Sequence, residues 1–334
     1  MKAENNILEI KNLAIGYKET GILADGINLT LKKGELTGLI GLNGIGKSTF
    51  LKTLLKLNNP LEGQVLFEGK NIKLLDSNRV ALLCSYVSTE HIRVSEMIVY
   101  ELVAIGRYPY TGWNGKLSGK DKSIVEEALW QVGLEKLMNR KIMQLSDGER
   151  QRASIARALA QDTPIIILDE PTAFLDIKNR YEIIHLLKRL CLEKEKAILF
   201  SSHDLGNLMQ VADKLWIINN SSISEGAPED MVLSGLLEEV FSSEDLLFNP
   251  ESGIFLERKE SSKEIKLSGE GNKYFWTKKA IERIGFSVST KEGISEVQIV
   301  NGVNNGFILK IPNNENVEFS SIYDLLRQIK RINL

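Results

Sequence analysis

The sequence predicts an α/β fold built on a parallel sheet with helices on both faces, carrying a small α+β module at its C-terminal end. Three observations predict it. An apolar run, Leu36–Ile40, feeds directly into a glycine-rich loop and then into a helical pattern. Buried-strand runs alternate with helical stretches between residues 165 and 218, the pattern of a sheet covered on both sides. A polar stretch rich in Lys, Glu, Ser and Gly, residues 258–272, then precedes a fresh set of short elements.

Each element follows from local pattern. Residues 7–10 and 13–17 read as two β segments, and 64–67 as a third, bracketed by the Glu62-Gly63 and Glu68-Gly69 turns. Residues 48–57 repeat Phe50, Leu51, Leu54 and Leu55 at helical spacing and stop at Asn58-Asn59-Pro60. Residues 98–160 are mostly helical in pattern, broken by a loop at 107–115 that contains Arg107-Tyr108-Pro109-Tyr110 and Trp113. Strands are expected at Ile165–Leu168, 197–200 and Lys214–Ile218, with a helix at 179–192. In the C-terminal module, 274–284 reads as a helix and Glu296–Val300 with 307–311 as a hairpin. Residues 320–331 read as an amphipathic helix with Ile322, Leu325, Leu326 and Ile329 inward. The expected division is a main domain over 1–257 with its helical subdomain at about 91–160, a linker at 258–272 and an accessory α+β domain over 273–334.

The loop after the first buried strand reads Gly41-Leu42-Asn43-Gly44-Ile45-Gly46-Lys47-Ser48-Thr49. Glycines let the backbone wrap closely enough to aim N–H groups at phosphate oxygens, Lys47 adds a positive charge, and Ser48 is placed to ligate Mg²⁺. The following helix points its N-terminal dipole and unpaired donors at the same anions. Ile165–Leu168 ends in Asp169-Glu170, which sets two carboxylates at a strand terminus. Successive strand residues face opposite ways, so one carboxylate can hold Mg²⁺ while the other acts on an attacking water. Ser146 and Glu149 form a capping box before a helix, and Gly148 in its first turn suggests close approach of a group such as a phosphate. His203 follows 197–200 through two serines, at the same rim of the sheet.

Composition sets the bounds. The 334 residues exceed one average domain, with 43% hydrophobic and 26% charged residues. A net charge of −2 and the absence of a basic block argue against nucleic acid as a partner. Cys84 and Cys191 sit in apolar surroundings without disulfide or zinc spacing, which suits a reducing compartment, and three histidines provide no metal cluster. No apolar run approaches the ~20 residues that span a bilayer, so any membrane passage belongs to another chain.

Over about residues 5–230 this ordered set resembles the ATP-binding subunit of an ABC transporter. The resemblance implies an ABC-type P-loop nucleotide-binding domain made of a mixed β subdomain, a parallel-sheet core and a helical subdomain. It makes 41–49 the Walker A loop, with Gly41, Asn43, Gly44, Gly46, Lys47, Ser48 and Thr49 on ATP, and makes Ile165 to Asp169 the Walker B strand. Residues 145–149 become the signature, 173–176 the D-loop ending in Asp176, Glu170 the catalytic base and His203 the switch histidine, with Lys47 assisting catalysis. Tyr17 matches the aromatic that stacks on adenine. Mg²⁺ falls to Ser48 and Asp169, and to Glu90, which aligns where the family usually has glutamine. The signature reads Ser-Asp-Gly-Glu instead of Ser-Gly-Gly-Gln, keeping Ser146 and Gly148.

In that family the signature completes the site of a second copy, so the resemblance implies a homodimer around two ATP molecules. Gly106-Arg107-Tyr108-Pro109 resembles a loop of the subunits that serve iron-siderophore, haem and vitamin B12 importers. The implied partners are integral-membrane permease subunits and, indirectly, a periplasmic or surface substrate-binding protein, at the cytoplasmic face of the cell membrane. The alternative is a soluble ABC ATPase for a process such as iron–sulfur cluster assembly, against which the Gly-Arg-x-Pro loop stands. A chromosome-type ATPase would need a long coiled coil between Walker A and signature, and none is present.

Overall fold

The structure is a computed structural model that describes residues 6–17, 19, 21–89, 96–112, 115–250, 253–257, 263–291, 294–300, 306–312 and 314–332. The chain divides into two compact units, residues 1–242 with 248–255, and residues 243–247 with 256–334.

In the larger unit β1 (Asn6–Tyr17), β2 (Gly21–Lys32) and β3 (Leu36–Ile40) lead into α1 (Lys47–Leu54). Then come β4 (Glu62–Phe67), β5 (Lys70–Asn71), α2 (Ser77–Leu83) and β6 (Cys84–Val87). The helical stretch holds α3 (Val99–Ala104), a 3₁₀ turn at Ile105–Tyr110, α4 (Gly119–Gln131) and α5 (Asp147–Ala160). Strand and helix then alternate through β7 (Ile165–Leu168), α6 (Ile177–Lys194), β8 (Ala197–Ser201), α7 (Leu205–Val211) and β9 (Lys214–Ile218). The unit closes with β10 (Ile223–Gly226), α8 (Pro228–Leu233) and α9 (Leu236–Phe241).

A four-stranded antiparallel sheet, β2-β1-β4-β5, faces a six-stranded sheet of order β10-β9-β3-β8-β7-β6, parallel except at β10. Alternation along the parallel strands explains the layering. Leu39, Ile165, Ile167 and Leu199 pack with β1, β2 and Phe50 of α1, whereas Ile40, Ile166, Leu168 and Phe200 pack with the helices on the opposite face. β3 sits between β8 and β9, so the glycine loop leaves the middle of the sheet at its carboxyl edge. That is where ligands bind in open α/β sheets.

The two β segments expected near the N-terminus are one strand, because an irregularity at Lys11–Asn12 interrupts the alternation without ending the pairing. Asn12 adopts φ +46° and exchanges side-chain and backbone hydrogen bonds with Asn28 of β2. The expected loop at 107–115 begins as part of the 3₁₀ turn, and Trp113 lies outside the described residues.

The smaller unit contains β13 (Lys263–Ser268), α10 (Gly271–Arg283), β14 (Phe286–Ser289), β15 (Glu296–Val300), β16 (Gly306–Lys310), β17 (Val317–Phe319) and α11 (Ile322–Ile332). It is preceded by a two-stranded ribbon, β11 (Leu246–Asn249) with β12 (Ile254–Glu257). Its sheet runs β14-β13-β15-β16-β17, and Ile265, Ile281, Val297, Leu309, Leu325 and Ile329 form its core. The expected linker at 258–272 is corrected here: β13 and the first turn of α10 occupy its second half. β13 buries only Ile265 and Leu267 and shows Lys, Glu and Ser on its other face, so its composition reads as linker while its period is that of a strand. The expected hairpin and final helix form, with Leu325, Leu326 and Ile329 buried.

Candidate nucleotide site

The glycine loop joins β3 to α1. Gly44 and Gly46 hold φ of +76° and +111°, backbone that side chains rarely adopt, and Gly46 is the N-cap of α1. The N–H groups of the first turn have no partner within the helix, which leaves them for an anion. Lys47 is buried, and its Nζ donates to the carbonyls of Gly41 at 2.9 Å and Leu42 at 3.2 Å. Burial pulls its pKa down, while the carboxylates of Glu170 and Asp169 oppose the fall. Asn43 and Ser48 are exposed, Thr49 is half-buried, and Gly41 packs against Ile218. Tyr17 closes β1 with its ring 44% exposed and its hydroxyl 3.1 Å from Thr49 Oγ1, so an aromatic surface stands beside the loop.

The carboxylates lie at the end of β7, with β8 between it and β3. Asp169 is buried and continues the β6–β7 ladder, donating its N–H to Val87 O at 2.8 Å. Its Oδ1 accepts from Ser201 Oγ at 2.7 Å, its Oδ2 from the Tyr86 hydroxyl at 3.4 Å, and its carbonyl from Thr89 Oγ1 at 2.9 Å. Glu170 turns away with φ +48°. Its Oε2 comes within 3.7 Å of His203 Nδ1, and His203 is more than half exposed. Asp204, next to His203, caps α7 through Asn207 and binds Arg180 of α6 at 2.7 Å. The structure therefore gathers Lys47, Asp169, Glu170 and His203 at one rim. Glu90 lies outside the described residues.

Ser146 and Gly148 belong to α5 and make contacts of another kind. Ser146 is its N-cap, accepting the Glu149 N–H while Glu149 accepts the Ser146 N–H at 2.8 Å. The space that a Cβ on Gly148 would need is taken by Asn179 Oδ1, 2.6 Å from that point, so the chain itself supplies a reason for the glycine that was expected to reflect a phosphate. Asn179 also donates to Asp176, the N-cap of α6, whose carboxyl is held below the ordinary range chiefly by the Asn179 backbone N–H. The first turns of α5 and α6 thus touch through one asparagine.

Sequence reasoning missed Ser201, Tyr86, Thr89 and Arg157. Arg157 of α5 donates to Tyr86 O at 3.1 Å, and burial lowers its pKa. The available signal was Ser201 itself, a hydroxyl ending an apolar strand run. Arg107 also proves to be a core residue. It is 4% exposed, donates to Asp121 at 2.9 Å and Ala160 O at 2.8 Å, and lies under the Tyr110 ring at 3.8 Å. Hydrogen bonds from Ser118 first, then from Arg107, bring the Asp121 pKa down to about 2. Gly106 is required because a Cβ there would stand 2.2 Å from Arg157 O.

Comparison with known proteins identifies the family. The family model for the ABC transporter matches residues 24–173, and that for the iron ABC transporter C-terminal domain matches residues 262–330. The chain is 39% identical over 236 residues to a probable siderophore transport system ATP-binding protein of Bacillus subtilis, covering 70% of this chain and 86% of that one. An iron(3+)-hydroxamate import ATP-binding protein of the same organism is 36% identical over 237 residues, 71% and 88% of the two chains. An inward-facing putative metal-chelate type ABC transporter aligns with a TM-score of 0.64 at 27% identity over 71% of this chain and 89% of that one. A dimeric bacterial ABC transporter cassette aligns with a TM-score of 0.59 at 29% identity, over 66% and 98%. With the phosphate loop, the paired carboxylates and the rim histidine in place, and with these relatives covered over most of their length, the chain belongs to the ATP-binding proteins of the ABC transporter family.

Proposed function

We propose that this chain is the ATP-hydrolysing subunit of an importer that takes up an iron chelate such as a siderophore, or haem or cobalamin, through separate permease subunits at the cytoplasmic face of the membrane. The observation that carries the ATPase part is the meeting of Lys47, Asp169, Glu170 and His203 at the carboxyl rim of the sheet. The relatives that serve siderophore transport and iron(3+)-hydroxamate import support the cargo. Among the described residues no helix is long and apolar enough to cross a membrane, which accords with a separate permease.

Main-chain N–H groups of residues 44–49 and the Lys47 ammonium bind the phosphates, and Tyr17 stacks on the adenine. Ser48 hydroxyl and Asp169 carboxylate are hard oxygen donors that fit Mg²⁺, with Glu90 as a further ligand. When bound, Mg²⁺ neutralises charge on the phosphate oxygens. Glu170 accepts a proton from the attacking water, and His203 steadies Glu170 and the terminal phosphate. Ser146 and Gly148 of a second copy close the site, with Asp176 beside them. ATP-driven closure and reopening of the homodimer then move the permease.

A cleft of about 350 Å³ lined by Leu57, Tyr86, Ile105, Gly106 and Arg157 supports a permease docking there. Exposed Ile105 and Tyr108 edge the Gly-Arg-x-Pro turn next to it. Affinity purification of the tagged protein from detergent-solubilised membranes tests the reading. A polytopic permease near equal stoichiometry is expected. Recovery with soluble assembly proteins alone would move the function to a non-transport ATPase.

A further inference from the structure

Ser201 does something that no motif position accounts for. β8 reads Ala197-Ile198-Leu199-Phe200-Ser201, and every residue is buried. A hydroxyl at 0% exposure in a central parallel strand costs free energy unless its hydrogen bonds are made. Both are made within the site: Oγ donates to Asp169 Oδ1 at 2.7 Å and accepts the Glu170 N–H at 2.8 Å. Register places it there. Leu168 pairs with Phe200, so the next residues along the two parallel strands, Asp169 and Ser201, adjoin. On its other side Ser201 pairs with Leu39, two residues before Gly41. Glu170 meanwhile holds φ +48°, a conformation that a non-glycine residue keeps only where its surroundings fix it.

We infer that Ser201 is a positioning residue for ATP hydrolysis, its single hydroxyl locking the Asp169 carboxylate and the Glu170 backbone into one fixed relation. The inference rests on the roles proposed above for Asp169 and Glu170. Without the hydroxyl, Asp169 keeps only the long bond from Tyr86 on its carboxylate, and the Glu170 N–H loses its acceptor.

The test uses the full chain with Ser201→Ala, Ser201→Thr and Glu170→Gln in parallel. Mn²⁺ affinity of the ADP complex is read by electron paramagnetic resonance. Metal-free nucleotide affinity is read with a fluorescent ATP analogue, alongside turnover and melting temperature. For Ser201→Ala, Mn²⁺ affinity and turnover are expected to fall about 10- to 100-fold, the usual effect of removing a group that orients a metal ligand. Metal-free nucleotide binding should stay within about twofold, and Thr should restore both losses.

Wild-type metal affinity and turnover in Ser201→Ala overturn the inference. So does a lowered melting temperature with unchanged metal affinity, the mark of a merely structural serine. Should Ser201→Ala fail to fold, Ser201→Cys, similar in volume and a weaker donor, decides by an intermediate loss of metal affinity. Near-normal turnover in Glu170→Gln would instead strike the proposed base, while the Mn²⁺ titration still judges Ser201.

Discussion

At the scale of single residues, the roles proposed for the rim of the sheet separate binding from chemistry. Glu170→Gln keeps the backbone hydrogen bond to Ser201 and removes the proton acceptor. ATP is therefore expected to stay bound while turnover falls about 10² to 10⁴-fold, as measured by phosphate release against nucleotide titration. Arg107 makes the contrasting case. The sequence placed it in a loop that resembles one of importer subunits, yet its guanidinium is spent on Asp121, Ala160 and Tyr110 inside the protein. Arg107→Ala strands a buried carboxylate and is expected to cost about 3–5 kcal/mol in urea unfolding. The pH dependence follows from the lowered Asp121 pKa: the hydrogen bonds from Ser118 and then Arg107 contribute fully above 3.8 and are lost as pH falls toward about 2. Arg107→Ala should therefore shrink the acid limb of stability in that window only in part, and Ser118→Ala should shrink it more.

At the scale of elements, strands were legible where the run is continuously apolar; β6, mostly buried but reading Cys-Ser-Tyr-Val, was not. Ile165–Leu168 and Lys214–Ile218 are continuous apolar runs and appear where pattern placed them. β2, β13 and β14 were missed because one polar face dilutes their composition. The phosphate loop and carboxylate pair were legible because their chemistry is local in sequence. The Ser201–Asp169 and Arg157–Tyr86 contacts join residues 32 and 71 apart and needed the sheet order to become visible. Gly148 shows how an element junction can mislead. Gly148→Ala gains about 1 kcal/mol of helix propensity but displaces Asn179 from Asp176, losing a hydrogen bond of similar worth. The melting temperature should hardly move, while ATPase activity falls if the signature and D-loop work together across a dimer.

At the scale of the whole molecule, two units with separate cores imply separable roles. The siderophore and hydroxamate relatives align over 236 and 237 residues and are themselves covered to 86% and 88%, so the cassette accounts for most of their length. Truncation before Arg258 is expected to leave a folded protein with ATP turnover within about twofold of the full chain. A larger loss, with the fold intact by circular dichroism, would give the C-terminal module a part in hydrolysis.

Both cysteines, Cys84 and Cys191, are buried free thiols, and desolvation pushes the Cys191 pKa up to about 12 and that of Cys84 higher still. Near neutral pH a thiol raised that far is almost wholly protonated, and the thiolate is the form that reacts. The native chain is thus expected to react slowly with maleimides. A single cysteine introduced on the exposed face of α6, at Lys178 for instance, should accept a fluorophore without removal of either natural one. Energy transfer between two labelled copies would then follow cassette closure in real time, on a protein otherwise unaltered.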